Sequence, residues 1–409
     1  MTTLGIERPE IVDRPDAVEW IGAPRTTDEV LVYTIHDGAA VPRHLFGDRS
    51  EEILGRPEIR RAFVAERDWG ADLVAGQLAR ALGLGGFLRV NLARLVMDYG
   101  RLPGSSHGKV RHLHRYSFYP PFGDLLSEQQ KYDLLEHYYD AVSQAIGLAA
   151  IDKRITFAVH TYDRFNATGT VRPDVSLLSR LLEYSAESTL PPDVFDPLCP
   201  PDLCEEATAH RSLTYQMLHD LERGGHRTAL NYPYLMPVGS TEIRGQVWFF
   251  FRHLRRKFLE RRPETRHEAA FQLVWQMLLD VDQRSAEGAR LRGFLHRYFG
   301  APKGQQRLFL KAREAYAEIK AFLDANRREL VERYRLSPQR PSSIGIEVRK
   351  DLFYDLDADA GRVRERPEAG ELAADIAVRM AGAVRRFLDE ETLTRRMLRT
   401  IREPVLAAG

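Results

Sequence analysis

Short apolar runs alternate with stretches of helical periodicity through the first third of the chain. Val30 to Ile35 is apolar and rich in β-branched residues and ends at His36, the pattern of a buried strand opening into a loop. Between Asp68 and Leu82, the residues Leu73, Val74, Leu78, Ala81 and Leu82 recur at helical spacing, and Gly83, Gly85 and Gly86 then stop the helix. Phe87 to Met97 reads as strand. Ser127 is placed to cap a helix running to Leu148, with Leu134, Leu135, Tyr138, Val142, Ala145 and Ile146 along one face. Ile155 to Val159 is another short buried strand, and it ends at His160. Strands that alternate with helices predict an α/β fold, a mostly parallel sheet with flanking helices.

The pattern changes near Ile243. Helical stretches follow one another through Gln246–Arg261, His267–Asp282, Gly288–Tyr298 and Gln305–Tyr334, with no convincing strand between them. One more strand, Ser343 to Val348, precedes an amphipathic helix from about Gly370 to Leu388 and a short helical tail. The expected organisation is therefore a core of residues 1–245 and 340–409, interrupted by a helical insertion over 246–339. No internal repeat or low-complexity tract is seen.

Composition narrows the functional classes. The 409 residues are 44% hydrophobic, enough for a large core. Basic and acidic side chains nearly cancel, 59 against 58, which argues against a nucleic-acid surface. The longest basic run, Arg252 to Lys257, falls in a helical pattern diluted by Glu260 and Glu264 and reads as a solvated helix face. The two cysteines, Cys199 and Cys204, form no disulfide framework and suit a reducing cytoplasm. The N-terminus shows no signal-peptide pattern, and no apolar stretch approaches the length of a membrane span. A cytoplasmic protein without nucleic-acid or membrane partners is expected.

In open α/β sheets, ligands bind beyond the C-terminal ends of the strands. The polar residues that follow strand patterns are therefore the first candidates. His36 and His160 each stand at such a strand end. Neutral imidazole is a common metal ligand, and catalytic zinc takes three N/O ligands and keeps one position open. Two histidines and a carboxylate meet that need, although strand-end histidines bonded to backbone give the same pattern. Asp68 and Asp72 open a helix, where Asp68 serves either as a cap or as a ligand or partner of a histidine. Arg94, Asp98 and Arg101 follow the predicted strand to Met97, and they suit either a substrate carboxylate or ion pairing among themselves. Glu347, between Ile346 and Val348, is either a buried base with a raised pKa or a residue alternating outward. The stretch His107 to Phe122, which includes His114, is rich in His, Arg and aromatic residues and reads as a substrate loop or a surface loop.

Six motifs, in order, resemble the N-formylglutamate amidohydrolase family. They are Ile35-His36-Asp37-Gly38 with Pro42; Arg67-Asp68-Trp69-Gly70-Ala71-Asp72; Ala93-Arg94-Leu95-Val96-Met97-Asp98-Tyr99-Gly100-Arg101 with Pro103; and Ala158-Val159-His160-Thr161. Asn231-Tyr232-Pro233-Tyr234 with Gly239 and Gly345-Ile346-Glu347-Val348-Arg349 complete the set. The resemblance spans about 300 residues and skips the helical block. The chain departs from the family pattern at Ile35, Gly100, Tyr139 and Ala158; at the last of these the family carries an aspartate two residues before its second histidine.

The resemblance implies a phosphorylase/hydrolase-like fold related to zinc carboxypeptidases, and metal-assisted hydrolysis of an N-acyl or N-formyl amino acid, a related small compound or a peptide. By the same resemblance His36, Asp68 and His160 are ligands of a divalent metal ion, with zinc the implied metal. Glu347 is the implied base. Arg101, with Arg94, holds a substrate carboxylate, and Asp98, His114, Asn231 and Arg349 line the substrate site. A shared ion requires the rings of residues 36 and 160 to lie within about 6 Å of each other. Two other readings stay open: a non-catalytic binding or scaffold protein on a degenerate amidohydrolase fold, and a biosynthetic tailoring enzyme acting on a peptide.

Overall fold

The computed structural model of the chain describes residues 5–103, 117–181, 195–200, 203, 207–237, 239–296, 300–335, 337 and 340–406, with side chains described between Glu7 and Thr392. Its centre is a seven-stranded sheet in the spatial order Val18–Gly22, Gly86–Val90, Val30–Thr34, Ile155–Tyr162, Ser342–Arg349, Val175–Leu178, Thr228–Leu230. Four of the six neighbour pairings are parallel; the exceptions join Val18–Gly22 to Gly86–Val90, and Val175–Leu178 to Ser342–Arg349. The fold is thus α/β, with a mixed, mostly parallel central sheet and flanking helices.

Both faces of the sheet are covered, which is why its central strands read as continuous apolar runs rather than alternating ones. Val30, Val32, Ile155, Phe157, Val159, Ile344, Ile346 and Val348 point to one face. There they meet helices Ala71–Leu82, Arg211–Arg223 and Ala369–Leu406. Leu31, Tyr33, Ile35 and Ala158 point to the other, against Phe63, Trp69, Leu135, Tyr139 and Val142. Helix Thr241–Arg261 also crosses that second face, where Ala158 and Gly345 offer little bulk. A Cβ added at Gly345 would lie 3.6 Å from the Glu242 carboxylate.

From Thr241 to Arg335 the described residues form helices Thr241–Arg261, Ala269–Leu279, Ala286–Leu295 and Gln306–Arg335, with no strand among them. They share one apolar cluster, centred on Phe250, Phe258, Trp275, Phe309 and Ile319, that also takes in Leu178 at the end of strand Val175–Leu178 and Leu181, Phe195 and Met236 from the chain on either side of edge strand Thr228–Leu230. No helix among the described residues is long and apolar enough to cross a membrane.

Several elements differ from the sequence expectation. The strand expected over Phe87–Met97 ends at Val90, because Ala93 to Val96 turns (Val96 N–H donates to the Ala93 carbonyl at 2.9 Å). The helix expected from Asp68 starts at Ala71, with Gly70 at φ +91° before it, so Asp68 caps nothing there. A Cβ at Gly70 would meet the Phe353 ring at 2.6 Å, a second reason for glycine at that turn. The Ser127 helix forms with its capping box to Gln130, but a π-helical turn interrupts it at Leu135–Tyr139. The last helix runs unbroken from Ala369 to Leu406.

Candidate metal centre

The end of one central strand, the turn after helix Pro57–Glu66, and the interiors of two further strands converge at one point, so that His160 lies within its strand rather than past its end. His36 comes two residues after Val30–Thr34. Its carbonyl accepts from the Asp68 N–H at 3.0 Å, which stitches the Asp68 turn to the strand end. His160 lies in Ile155–Tyr162, directly opposite Glu347 in the parallel ladder, so the two side chains stand next to each other on the same face.

Asp68 is the hub. Its Oδ2 lies 3.0 Å from His160 Nδ1 and 3.4 Å from His36 Nδ1. The imidazole centroids are 5.0 Å apart, inside the limit that a shared ion sets. One donor atom from each of His36, Asp68 and His160 lies within 4.8 Å of the other two, so this cluster can hold a metal ion. The chemistry of the set fits a divalent cation: two imidazoles, one carboxylate, and a second Asp68 oxygen, Oδ1, that is buried without a hydrogen-bond partner.

The outer ring nitrogen of His36 is also occupied. Nε2 meets Asp98 Oδ1 at 2.7 Å. Asp98 is fully buried and accepts as well from the Gly100 N–H at 2.7 Å, from the Tyr119 hydroxyl, and from Arg94 Nη2 at 3.3 Å. A carboxylate on the far nitrogen of a ligating histidine fixes its tautomer and ring plane. The Cβ of any residue other than glycine at position 100 would sit 3.0 Å from Asp98 Oδ1 and 3.2 Å from the His36 ring, so Gly100 gives this pair its room. Arg94 also reaches Asp68 Oδ1 at 3.5 Å and Glu66 at 3.7 Å.

These contacts decide the charge states. Burial alone would raise the Asp68 pKa, but its bonds to His160 and His36 and the charge of Arg94 hold it well below the ordinary carboxylate range. Asp98 is lowered in the same way, with His36 and Arg94 outweighing burial. Burial works against a charged His160, yet the Asp68 bond and the nearby Glu347, Asp68 and Glu242 carboxylates push its pKa up to about 9. Glu347 moves the other way. Burial raises its pKa and Asp68 adds to this, while His160 and the Tyr234 hydroxyl oppose it. Glu347 Oε1 accepts from Tyr234 and Oε2 is buried without a hydrogen-bond partner.

The other sequence candidates fall into three groups. Arg101 lies at the rim, its side chain 41% exposed and its Nε 3.8 Å from Asp98 Oδ2. Asn231 and Arg349 are engaged with other parts of the chain. Asn231 Oδ1 accepts from the Ser179 N–H at 2.8 Å and so anchors the turn that presents Tyr234, while Arg349 pairs with Asp351 at 2.8 Å and Asp174 at 3.2 Å. His114 lies outside the described residues, as does Cys204; Cys199 is buried. Sequence reasoning missed Glu242 and the role of Tyr234; Tyr119 stood within the His107–Phe122 stretch, without its bond to Asp98. Glu242 was within reach, because Ser240 followed by an acidic residue in the first turn marks a helix start.

No protein-family model matches the sequence, and no curated protein matches it. Among solved structures the chain is similar to a gene product of Agrobacterium tumefaciens, with 15% identity, a TM-score of 0.40, and coverage of 91% of this chain and 96% of that one. It is also similar to an N-formylglutamate amidohydrolase from Ralstonia eutropha, with 14% identity, a TM-score of 0.45, and coverage of 90% and 98%.

Proposed function

We propose that this protein is a metal-dependent hydrolase that cleaves a carbon–nitrogen amide bond in an N-acyl or N-formyl amino acid, or in a related small compound or peptide. In this reading the sheet and its helices are a phosphorylase/hydrolase-like core, and the helices from Thr241 to Arg335 are an insertion into it. The observation that carries the proposal is that both imidazoles turn Nδ1 toward one oxygen of Asp68, beside a buried Glu347 oxygen that nothing else uses.

His36, Asp68 and His160 would hold the ion, and the donor set suits zinc. When bound, a divalent ion supplies electrophilic polarisation of an amide carbonyl. Glu347 handles protons. Its raised pKa brings it closer to the pH at which a carboxylate both accepts a proton and releases it. Oε2 takes a proton from the attacking water and delivers it to the leaving amine nitrogen, while the Tyr234 hydroxyl holds the opposite oxygen in place. Arg101, half exposed at the rim, offers its guanidinium fork to a substrate carboxylate.

The test is direct. Protein purified without chelator should carry about one equivalent of divalent metal and release amine from a panel of N-formyl and N-acyl amino acids. A chelator should abolish that release, and zinc should restore it. Turnover that persists after chelation and in the His36→Ala/His160→Ala variant would refute the assignment.

A further inference from the structure

The two histidines of the cluster are treated alike on the inner side and differently on the outer. Each turns Nδ1 to Asp68. His36 then meets Asp98 with Nε2. For His160 the strand offers no such partner, since Ala158, two residues earlier, has no polar atom. The carboxylate that faces His160 Nε2 comes instead from another layer of the molecule. Glu242 Oε1 lies 4.0 Å from it, at ion-pair distance, delivered by the first turn of helix Thr241–Arg261.

We infer that Glu242 is the positioning residue of His160, matching Asp98 on His36, and that the helical block supplies the carboxylate that the His160 strand lacks. The inference rests on the metal-centre reading above and assigns Glu242 no contact with the substrate.

Four observations support it. Glu242 is only 6% exposed, and a buried carboxylate is costly unless something compensates its charge. Arg244, two residues on, is committed elsewhere: it donates to the Gly239 carbonyl at 2.7 Å and the Tyr99 carbonyl at 3.0 Å and pairs with Asp282. The carboxylate is held from behind, with Oε2 accepting from Thr241 Oγ1 at 3.3 Å and Thr241 in turn meeting the Tyr33 hydroxyl at 3.3 Å. Finally, Glu242 Oε1 lies close over the sheet: it would stand 3.6 Å, ordinary contact distance, from a Cβ placed on Gly345, two residues before Glu347. A carboxylate in a helix's first turn also interacts favourably with the helix dipole. That role alone needs neither burial nor an approach to an imidazole.

The experiment measures zinc affinity by competition with a chromophoric chelator, in the full-length wild type and in the Glu242→Gln, Asp98→Asn and His36→Ala/His160→Ala variants. Melting temperatures of the metal-free forms are recorded alongside. Glu242→Gln should weaken zinc binding by about 10–100-fold, as Asp98→Asn should, while the metal-free melting temperature holds or rises. A purely structural role would lower the metal-free melting temperature and leave zinc affinity unchanged, and that result overturns the inference while leaving the metal centre standing. Zinc binding that ignores the double histidine substitution overturns the metal centre and this inference together. If Glu242→Gln fails to fold, NMR of the ¹⁵N-histidine, zinc-loaded wild type decides: a His160 Nε2 proton shifted downfield as far as the Asp98-bonded proton of His36 supports the assignment, and one at the position of an imidazole proton with no carboxylate partner overturns it.

Discussion

At Glu347 the two oxygens of one carboxyl group have different surroundings. Oε1 is tied to Tyr234 and Oε2 has no hydrogen-bond partner, although the whole strand Ser342–Arg349 is buried. An unsatisfied buried acceptor costs about 1–3 kcal/mol, so a polar atom of this kind calls for a function that repays it. Replacing Glu347 by Gln keeps the shape and the Tyr234 contact but removes the proton carrier. We expect kcat to fall by about 10²–10⁴ with metal content unchanged, read by steady-state kinetics and elemental analysis of the same sample. Loss of metal in parallel with activity would instead make Glu347 a ligand. At this scale the sequence showed the right residue types but left each with two readings. His36, His160 and Glu347 stood out because each ends or interrupts an apolar run. Whether Glu347 faced solvent depended on a helix far earlier in the chain, Thr241–Arg261, lying across that face of the sheet, which strand alternation does not reveal.

At the scale of elements, the legible parts are those whose stability is local or whose burial is two-sided. The Ser127 capping box, the long helices after Thr241 and the apolar strands Val30–Thr34 and Ile155–Tyr162 all carry their signal within a few residues. Val175–Leu178 and Thr228–Leu230 escaped notice because four-residue and three-residue strands hold too little periodicity, and they form only by pairing with the sheet. Within helix Thr241–Arg261, His253 makes the element sensitive to acid. Burial, helped by Arg256 and Lys257 and opposed by Glu260, lowers its pKa to about 4. Arg256 Nη2 meets its Nδ1 at 3.2 Å, a contact that suits the neutral ring. A depressed histidine contributes its stabilisation in full above the unfolded value of about 6.5 and loses it as pH falls toward the folded one. Urea denaturation between pH 7 and 4.5 should therefore show a decline of up to roughly 3 kcal/mol from this group. The His253→Gln variant should lose that part of the slope. Parallel slopes for the two proteins would show that His253 titrates normally.

For the whole molecule, the candidate centre is a long-range construction. His36, Asp68, Asp98, His160, Glu242 and Glu347 come from six places in the chain, and no local motif contains two of the three cluster residues. An ion bound there is thus linked to folding as a whole. With free zinc at about 1,000 times Kd, linkage adds about 4 kcal/mol to stability, which for a chain of this size shifts the melting temperature upward by about 5 °C. Differential scanning calorimetry with zinc and with chelator measures the shift. It should vanish in the His36→Ala/His160→Ala variant, and a shift that survives there would place the stabilising ion elsewhere.

The strand Ser342–Arg349 sits between Ile155–Tyr162 and Val175–Leu178, and so closes the sheet from late in the chain. During translation at about 5–20 residues per second, its neighbours emerge from the ribosome roughly ten to thirty seconds before it does. For that interval the nascent chain presents two open β-edges with the gap between them unfilled. Cotranslational chaperones would find their natural target there, and a pause or truncation anywhere between Leu178 and Ser342 would leave a polypeptide prone to pairing with its neighbours on the same polysome.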